Sequence, residues 1–359
     1  MTRRPDQPLP GDGAANEQAT VGHRPVADGR AAGDRAELAD RPAPWSRESL
    51  RQRLDGLPDW HPSSPCQPDS HGGRHERDFA DGPRVRPEPL TDSEHEDRVR
   101  HIRSELADAR TRGLATDARL VDPADNRWMT ERQLIHRDLV DEIYASAADV
   151  PCDRKAIMAG GLSGAGKSTV LDRHADVERS QYLTVNPDDI KEAMAGRGLI
   201  PELDGLSPME ASDLVHVESS YLAKRLVRRA MDDGKNIIWD MTMSSTTTTE
   251  QRLDDLDRAG YSISGVFVDI GLAEALRRAD ARHCQGQEDY QAGIGFGGRY
   301  VPPEVIEAQA DPEWGSVNRR TFEQVKHRFA DWALYDNSVT GWDPVLVGAR
   351  YGRTPEEER

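Results

Sequence analysis

The segment GLSGAGKS, from Gly161 to Ser168, constrains this chain more than any other stretch of its sequence. Glycine has no side chain to block the approach of a phosphate, so this run lets consecutive backbone N–H groups turn towards one anion. The apolar run KAIMA, 155–159, precedes the segment, and the helical pattern STVLDRHA follows it. A P-loop requires strand, loop and helix in this order, so a chance match in a glycine-rich stretch is disfavoured. The segment therefore predicts a P-loop that holds the phosphates of a nucleoside triphosphate.

Three positions of this loop have expected tasks beyond the backbone cradle. Lys167 is expected to reach the β- and γ-phosphates, and the hydroxyl of Ser168 to ligate Mg²⁺. Thr169 is expected to support the nucleotide end of the loop. The unpaired N–H groups at the start of the following helix add positive potential at the same place. The residues expected to bind the nucleotide are Gly161, Leu162, Ser163, Gly164, Ala165, Gly166, Lys167, Ser168 and Thr169.

Short apolar or β-branched runs alternate with helical patterns along the chain. The expected strands are KAIMA (155–159), YLTV (182–185), NIIW (236–239), ISGVFV (263–268) and a last run at 345–347. The expected helices lie at about 91–113, 130–147, 211–231 and 321–334. Strands that alternate with helices imply an α/β fold, with a doubly wound, mostly parallel sheet that is covered on both faces.

The helix expected just before the loop carries its own start signal. Its first residues, TERQ from Thr130 to Gln133, have the spacing of a capping box. Apolar residues then recur at 135, 139 and 143, which predicts that this face of the helix is buried.

The first 90 residues differ in composition from the rest of the chain. They hold 13 of its 23 prolines and almost no periodic apolar pattern, so they are expected to form a disordered tail. A transient helix is possible at 45–57, and a partner-binding arm is the functional alternative. The remaining segments are expected to be a helical linker (91–127), the P-loop domain (128–350) and a charged C-terminal tail (351–359).

Charge and hydropathy exclude several classes of partner. A formal net charge of −17 would repel a phosphate backbone, so nucleic acid is not the expected ligand, whereas small Mg-complexed anions are compatible with it. No apolar run has membrane-spanning length, and the N-terminus lacks the apolar core of a signal peptide, so a soluble, cytoplasmic protein without membrane contact is expected. Cys66, Cys152 and Cys284 are odd in number and far apart, which indicates ordinary reduced thiols.

A second glycine pattern, GIGFGG, contains Gly293, Gly295 and Gly298 at dinucleotide-binding spacing. That fingerprint requires a strand before it and a helix after it. Here the polar stretch CQGQEDYQA precedes the pattern and RYVPP follows it, so a mobile loop is expected instead.

Four further features follow the loop in order. VNPDDIK contains Asp188, GKNIIWDMT contains Asp240 and Thr242, Arg282 lies about a dozen residues past the next strand, and GGRYVP contains Arg299. With the P-loop, this ordered set resembles the zeta-toxin family of P-loop kinases.

The resemblance covers roughly 128–347 and implies a role for each residue. Asp188 would accept the proton of a substrate hydroxyl, while Arg282 and Arg299 would close over the γ-phosphate of ATP. Asp240 would hold the water shell of the Mg²⁺ that Ser168 ligates, and Asp188, Asp240 and Thr242 would lie beside the substrate. The family further implies transfer of phosphate to a sugar hydroxyl of UDP-N-acetylglucosamine, toxicity through blocked cell-wall precursor synthesis, and an antitoxin partner.

Some alternatives stay open at the level of sequence. Asp188 could instead cap the helix that begins IKEAM, and Asp189 could be the base. Met241 stands where the family usually has glycine, and Lys224 where some members have a glutamate, so another hydroxyl acceptor is possible. An ATPase or nucleotide switch without an acceptor is the competing function. The segment YDNS, 335–338, also resembles the family and is expected to support the fold near the nucleotide.

Overall fold

A six-stranded sheet forms the centre of the computed structural model of this protein, which describes residues 92–175, 177–339 and 341–351. The expected tail at 1–90, the helix at 45–57 and all but the first residue of the C-terminal tail lie outside the described residues. The strands are β1 (Val121–Asp122), β2 (Arg127–Trp128), β3 (Lys155–Gly160), β4 (Leu183–Val185), β5 (Ile237–Asp240), β6 (Ser262–Asp269), β7 (Ala310–Asp311), β8 (Gly315–Ser316), β9 (Asp331–Asp336) and β10 (Val345–Arg350).

Helices connect these strands and cover the sheet. They are α1 (Asp92–Thr111), α2 (Thr116–Arg119), α3 (Thr130–Ser146), α4 (Lys167–Arg173), α5 (Pro187–Gly196), α6 (His216–Asp233), α7 (Thr246–Arg258), α8 (Leu272–Gln291), α9 (Pro303–Glu307) and α10 (Val317–Val325). Short 3₁₀ turns lie at Arg179–Gln181, Ser212–Val215 and Lys326–Arg328. The helix expected at 211–231 begins later in the structure. A 3₁₀ turn occupies Ser212–Val215, and α6 begins at His216.

The order of strands in the central sheet is β10-β9-β6-β3-β5-β4. All neighbouring strands are parallel except the edge strand β10, which pairs antiparallel with β9. Successive residues of β3 enter different cores: Ala156 and Met158 belong to one buried cluster, Ile157 and Ala159 to the other. Because both faces are buried, the expected α/β fold with a mostly parallel, doubly covered sheet is confirmed.

The helix expected at 321–334 is wrong in its second half. α10 ends at Val325, and Asp331–Asp336 forms β9, which pairs with β6 on one side and β10 on the other. Phe329 packs flat against Gly265 of β6, where a Cβ would come 2.5 Å from the Phe329 ring. Strand pairing on both sides satisfies the backbone of this segment and overrides the helical preference of its alanine and leucine.

The capping box expected at the start of α3 is also absent. Met129 is the N-cap residue and makes no side-chain cap, while the amide of Gln133 donates to the carbonyl of Trp128 at 2.6 Å. Thr130 is already inside the helix.

The buried face of α3 differs from the apolar stripe at 135, 139 and 143. Arg132 and His136 are buried beside Leu139 because both reach the buried carboxylate of Glu218 in α6. The Nε atom of Arg132 and the Nε2 atom of His136 each lie 2.5 Å from Oε1 of Glu218. A buried ion pair that a hydrophobicity pattern cannot reveal therefore adds Arg132 and His136 to the buried face of this helix.

Candidate active site

The loop between β3 and α4 has the backbone conformation that its glycines allow. Gly161 has φ +137° and Gly166 has φ +86°, values that residues with a side chain rarely adopt. A Cβ on Gly161 would come 2.4 Å from the carbonyl oxygen of Val268, and one on Gly166 would come 2.6 Å from Nδ2 of Asn337. The close neighbours, Val268 in β6 and Asn337 just after β9, therefore leave space for glycine alone at these two positions.

Two side chains of the segment YDNS, 335–338, make hydrogen bonds to the backbone on either side of α4. The side-chain amide of Asn337 donates to the carbonyl of Ala165 at 2.8 Å, and the hydroxyl of Tyr335 donates to the carbonyl of His174 at 2.6 Å. These bonds attach the end of β9 to both ends of α4. They agree with the support of the nucleotide region that was expected of this segment.

Lys167 lies across the mouth of the loop. Its Nζ atom donates to the carbonyl of Gly161 at 3.2 Å and lies 3.5 Å from Oδ1 of Asp240, at the end of β5. The other oxygen of Asp240 accepts from Nδ2 of Asn186 at 3.2 Å. Burial raises the pKa of Asp240 and the nearby Lys167 ammonium opposes that rise. The expected Lys167 and Asp240 thus meet, although they are 73 residues apart in the chain.

Three other residues that were expected in the site are Ser168, Thr169 and Thr242. Ser168 and Thr169 are exposed at the start of α4, so the Ser168 hydroxyl is open to solvent. Thr242 contributes its backbone: its carbonyl accepts from the N–H of Gly161 at 3.4 Å and from Nδ2 of Asn318 at 2.8 Å. Its hydroxyl donates to Ser244 at 3.2 Å.

Asp188 is not the cap of α5. The N-cap is Asn186, whose Oδ1 atom accepts from the N–H of Asp188 at 2.9 Å, and Pro187 occupies the first turn. The carboxylate of Asp188 accepts instead from Nζ of Lys191 at 3.2 Å and from Arg299 at 2.9 Å. The alternative that Asp188 serves as the helix cap is therefore wrong.

These cations set the charge of Asp188. Burial alone would raise the pKa of its carboxyl, but Arg299, Lys191 and Arg282 together hold the pKa below its ordinary value. Asp188 is thus ionised at neutral pH and able to accept a hydrogen bond from a hydroxyl.

The neighbouring Asp189 has different surroundings. Asp189 is exposed and lines a cavity of about 370 Å³ together with Tyr182, Ile143 and Asn186. Partial loss of hydration at the wall of that cavity, together with the negative charges of Glu192 and Asp240, raises the pKa of Asp189 to about 7. Asp189 therefore carries less charge at neutral pH than Asp188.

Two arginines from distant segments converge on the P-loop. Arg299 follows the glycine-rich stretch, and its NH2 atom donates to Oγ of Ser163 at 3.2 Å, while its NH1 atom bonds Asp188. Arg282 of α8 donates to the same Ser163 hydroxyl at 3.4 Å. The structure thus brings Ser163, Lys167, Asp188, Asp240, Arg282 and Arg299 to one cleft.

Close packing positions the stretch that carries Arg299. A Cβ on Gly298 would come 1.9 Å from the carbonyl oxygen of His283 in α8. The N–H of Met209 also donates to the carbonyl of Phe296 at 3.0 Å. The glycines of this loop, which connects α8 to α9, therefore allow it to lie directly on α8, close to Arg282.

Lys191 and Asn186 line this cleft but were missed at the level of sequence. Lys191 is 4% exposed and follows Asp188 by three residues, a spacing that brings two side chains together on a helix. Asn186 precedes a proline, and this pair is a common helix start. Both signals lie in the sequence, yet only the burial of Lys191 separates it from an ordinary surface lysine.

A family model and several solved structures are similar to this chain. The family model described as Zeta toxin matches residues 145–339. A crystal structure of AvrRxo1-ORF1:-ORF2 with ATP is 19% identical over 66% of this chain and 73% of that chain, with a TM-score of 0.49. The PezAT chromosomal toxin-antitoxin system of Streptococcus pneumoniae is 14% identical over 60% and 79% of the two chains, with a TM-score of 0.44.

A putative kinase from Chloroflexus aurantiacus is 16% identical over 47% of this chain and 80% of its own, with a TM-score of 0.33. No curated protein matches the sequence. Among the described helices, none is both long and apolar enough to cross a membrane. Because the family model matches more than half of the 359 residues, this protein belongs to the zeta toxin family.

Proposed function

We propose that this protein transfers the γ-phosphate of ATP to a hydroxyl group of a small acceptor. The observation that carries the proposal is the position of Arg299, which contacts both Oδ1 of Asp188 and Oγ of Ser163 in the P-loop. One guanidinium therefore spans the distance between a carboxylate and the expected phosphate site. A kinase needs its acceptor-binding base and its triphosphate at this separation, within one side chain of each other.

Asp188 is the proposed base. Its carboxylate is ionised, because Arg299 and Lys191 lower its pKa, and it is mounted on the first turn of α5 by the Asn186 cap. It accepts the proton of the acceptor hydroxyl as the oxygen attacks the γ-phosphorus, and the bond from that phosphorus to the bridging oxygen of ADP breaks.

Arg282 and Arg299 are the proposed source of charge neutralisation. They come from α8 and from the glycine-rich stretch, and both already contact Ser163 of the loop. Guanidinium groups can bind two phosphate oxygens at once, so the pair would follow the negative charge as it moves towards the acceptor. Their closure over the loop would also exclude water and limit hydrolysis of ATP.

Mg²⁺ is the proposed metal of this site. The Ser168 hydroxyl is exposed at the loop, and the Asp240 carboxylate lies across it beside Lys167. Hydroxyl and carboxylate oxygens are the donors that this hard cation prefers, so the donor set fits it. When bound, Mg²⁺ would neutralise charge on the phosphate oxygens of ATP.

UDP-N-acetylglucosamine is the proposed acceptor, phosphorylated on a sugar hydroxyl. The support for it is membership of the zeta toxin family, together with the ordered residues Asp188, Asp240 and Arg299. Such a product would deplete a cell-wall precursor in the cytoplasm, so the protein would act as a toxin, and an antitoxin is the proposed protein partner. Met241 and Lys224 depart from the family pattern, which makes other nucleotide sugars necessary competitors in the test.

The test is incubation of the full chain with ATP, Mg²⁺ and a panel of nucleotide sugars, followed by mass spectrometry. We expect a gain of one phosphate on UDP-N-acetylglucosamine and not on UDP-glucose. Phosphorylation of a different sugar would overturn the proposed acceptor but would still support the proposed kinase activity. ATP loss without any phosphorylated sugar would overturn the kinase proposal in favour of an ATPase or switch.

A further inference from the structure

A cluster of two histidines and a cysteine joins α1 to α8, outside the nucleotide cleft. His95 of α1 lies beside Cys284 of α8, with Nδ1 of the histidine 3.2 Å from Sγ of the cysteine. One potential ligand atom from each of His95, His283 and Cys284 lies within 4.8 Å of the other two. His95 and Cys284 are 189 residues apart, so only the packing of the two helices creates this cluster.

Both histidine rings are oriented by carboxylates through the same nitrogen. Nε2 of His95 lies 2.7 Å from Oδ1 of Asp280, and Nε2 of His283 lies 3.1 Å from Oε1 of Glu210. A carboxylate only accepts hydrogen bonds, so each Nε2 carries the hydrogen and, in the neutral ring, each Nδ1 carries the lone pair. Metal-binding histidines characteristically have this arrangement, in which a carboxylate fixes the tautomer that presents a free nitrogen.

Nδ1 of His283 is left unpaired among the described residues. It is buried and has no hydrogen-bond partner there, and the whole residue is only 2% exposed. A buried acceptor without a partner is destabilising, so such atoms are rare in folded proteins. A ligand at this nitrogen would satisfy it.

We propose that His95, His283 and Cys284 bind a divalent transition metal ion, with Zn²⁺ as the ion that suits them best. Zinc prefers imidazole nitrogen and thiolate sulfur in tetrahedral geometry, with ligand atoms about 3.5 Å apart. The His95–Cys284 pair is already near that separation, and the ligand atom of His283 lies within 4.8 Å of both. Cys284 loses its thiol proton to water as it binds the metal, and a water molecule takes the fourth position.

The site has a structural consequence for the cleft. Arg282 immediately precedes His283 and Cys284 on α8, and Gly298 packs on the backbone of His283. A metal ion that joins α1 to α8 would therefore hold both arginine-bearing segments in place. The metal would stabilise the folded protein in any case, whether or not the nucleotide cleft acts as a kinase.

The test uses Co²⁺ alone as the probe, added to the full chain after treatment with a chelator. We expect one equivalent to bind with a thiolate-to-cobalt absorption band, and Zn²⁺ to displace it. Cys284→Ser should abolish the band. Asp280→Asn should weaken binding by about 10- to 100-fold, because it removes the partner that orients His95. The matched control is the double variant Cys66→Ser/Cys152→Ser, which should keep the band.

Two measurements distinguish loss of the metal site from loss of the fold. Circular dichroism without metal should be the same for wild type, Cys284→Ser and His95→Asn, and Zn²⁺ should raise the Tm of the wild type only. His95 and Cys284 are only partly buried, so both substitutions are compatible with folding. Absence of a thiolate band in the wild type, or its persistence in Cys284→Ser, would overturn the proposal. The cobalt band and the Tm do not depend on kinase activity, so a protein without kinase activity would give the same results in both measurements.

Discussion

Arg299 and Asp188 form an ion pair with 2.9 Å between NH1 and Oδ1, although 111 residues separate them in the chain. The same guanidinium also reaches Ser163 of the P-loop. This relationship links the charge of the proposed base to the position of the proposed phosphate-binding arginine.

Replacement of Arg299 should change both the rate and its pH dependence. Arg299→Ala is expected to lower kcat by about 10²- to 10³-fold, because a charged donor to the moving phosphate is lost. Arg299 holds the pKa of Asp188 down, so without it that pKa rises towards its ordinary value. The acidic limb of the pH profile of kcat/KM should therefore move to higher pH. Arg228→Ala, on the exposed face of α6, should leave the profile unchanged.

Asp188 and Asp189 should respond differently to removal of their charge. Asp188→Asn is expected to keep ATP binding and to lower phosphate transfer by about 10²- to 10⁴-fold, the usual contribution of a general base. Asp189→Asn should retain most of the activity, because Arg299 and Lys191 pair with the carboxylate of Asp188. Binding is measured by calorimetry and transfer by mass spectrometry. The reverse outcome would identify Asp189 as the base.

Lys167 should affect binding and transfer together. Its ammonium lies between the loop carbonyls and Asp240, where the triphosphate is expected. Lys167→Ala is expected to weaken ATP binding by about 10- to 100-fold, the value of a hydrogen bond to a charged group. Lys155→Ala provides the control, since Lys155 is an exposed lysine on the strand before the loop. Equal ATP affinity in the two variants would contradict the expected role of Lys167.

The buried carboxylate of Glu218 should govern stability at low pH. Burial alone would raise its pKa, but hydrogen bonds from His136 and Arg132 hold the pKa at about 2, below the ordinary 4.5. Its contribution is therefore complete above pH 4.5 and is lost as the pH falls towards 2. Glu218→Gln should lower the free energy of unfolding by about 3 kcal/mol at pH 7 and by less as the solution is acidified.

Urea denaturation between pH 7 and pH 3 measures this difference. Glu142→Gln is the control, because Glu142 is an exposed partner of Arg197 on the surface of α3. That substitution should change the free energy of unfolding by less than about 1 kcal/mol at every pH. A constant difference between wild type and Glu218→Gln across the pH range would show that the charge of Glu218 is not the cause.

Gly298 should tolerate no side chain. Gly298→Ala places a Cβ 1.9 Å from the backbone oxygen of His283, so the stretch that carries Arg299 must shift. We expect a loss of about 1 to 3 kcal/mol in stability together with a lower kcat. Gly271→Ala is the control, because nothing lies within 4 Å of a Cβ there. Thermal unfolding and the phosphate-transfer assay distinguish the two variants.

Local features of the chain could be predicted because their physical causes are local. The glycines and Lys167 of GLSGAGKS stand next to one another, so their backbone chemistry follows from the sequence itself. The strands β3, β5 and β6 are short apolar runs of the expected type, and their alternation with helices indicated the parallel sheet.

Elements that depend on distant partners could not be predicted in the same way. β9 looks helical in isolation, and becomes a strand because β6 and β10 pair with it on both sides. The buried face of α3 includes Arg132 because Glu218 of α6 lies opposite. Hydrophobic periodicity contains no information about such a charged partner.

The sequence by itself determined the phosphate-binding loop, the α/β class and the order of the residues expected in the cleft. Only the tertiary structure decided that Asn186 caps α5, that Asp188 is free to pair with Lys191 and Arg299, and that His95 meets Cys284. The reason is that backbone conformation depends on neighbours in the chain. Charge pairing and burial depend on which distant segments the folded sheet brings together.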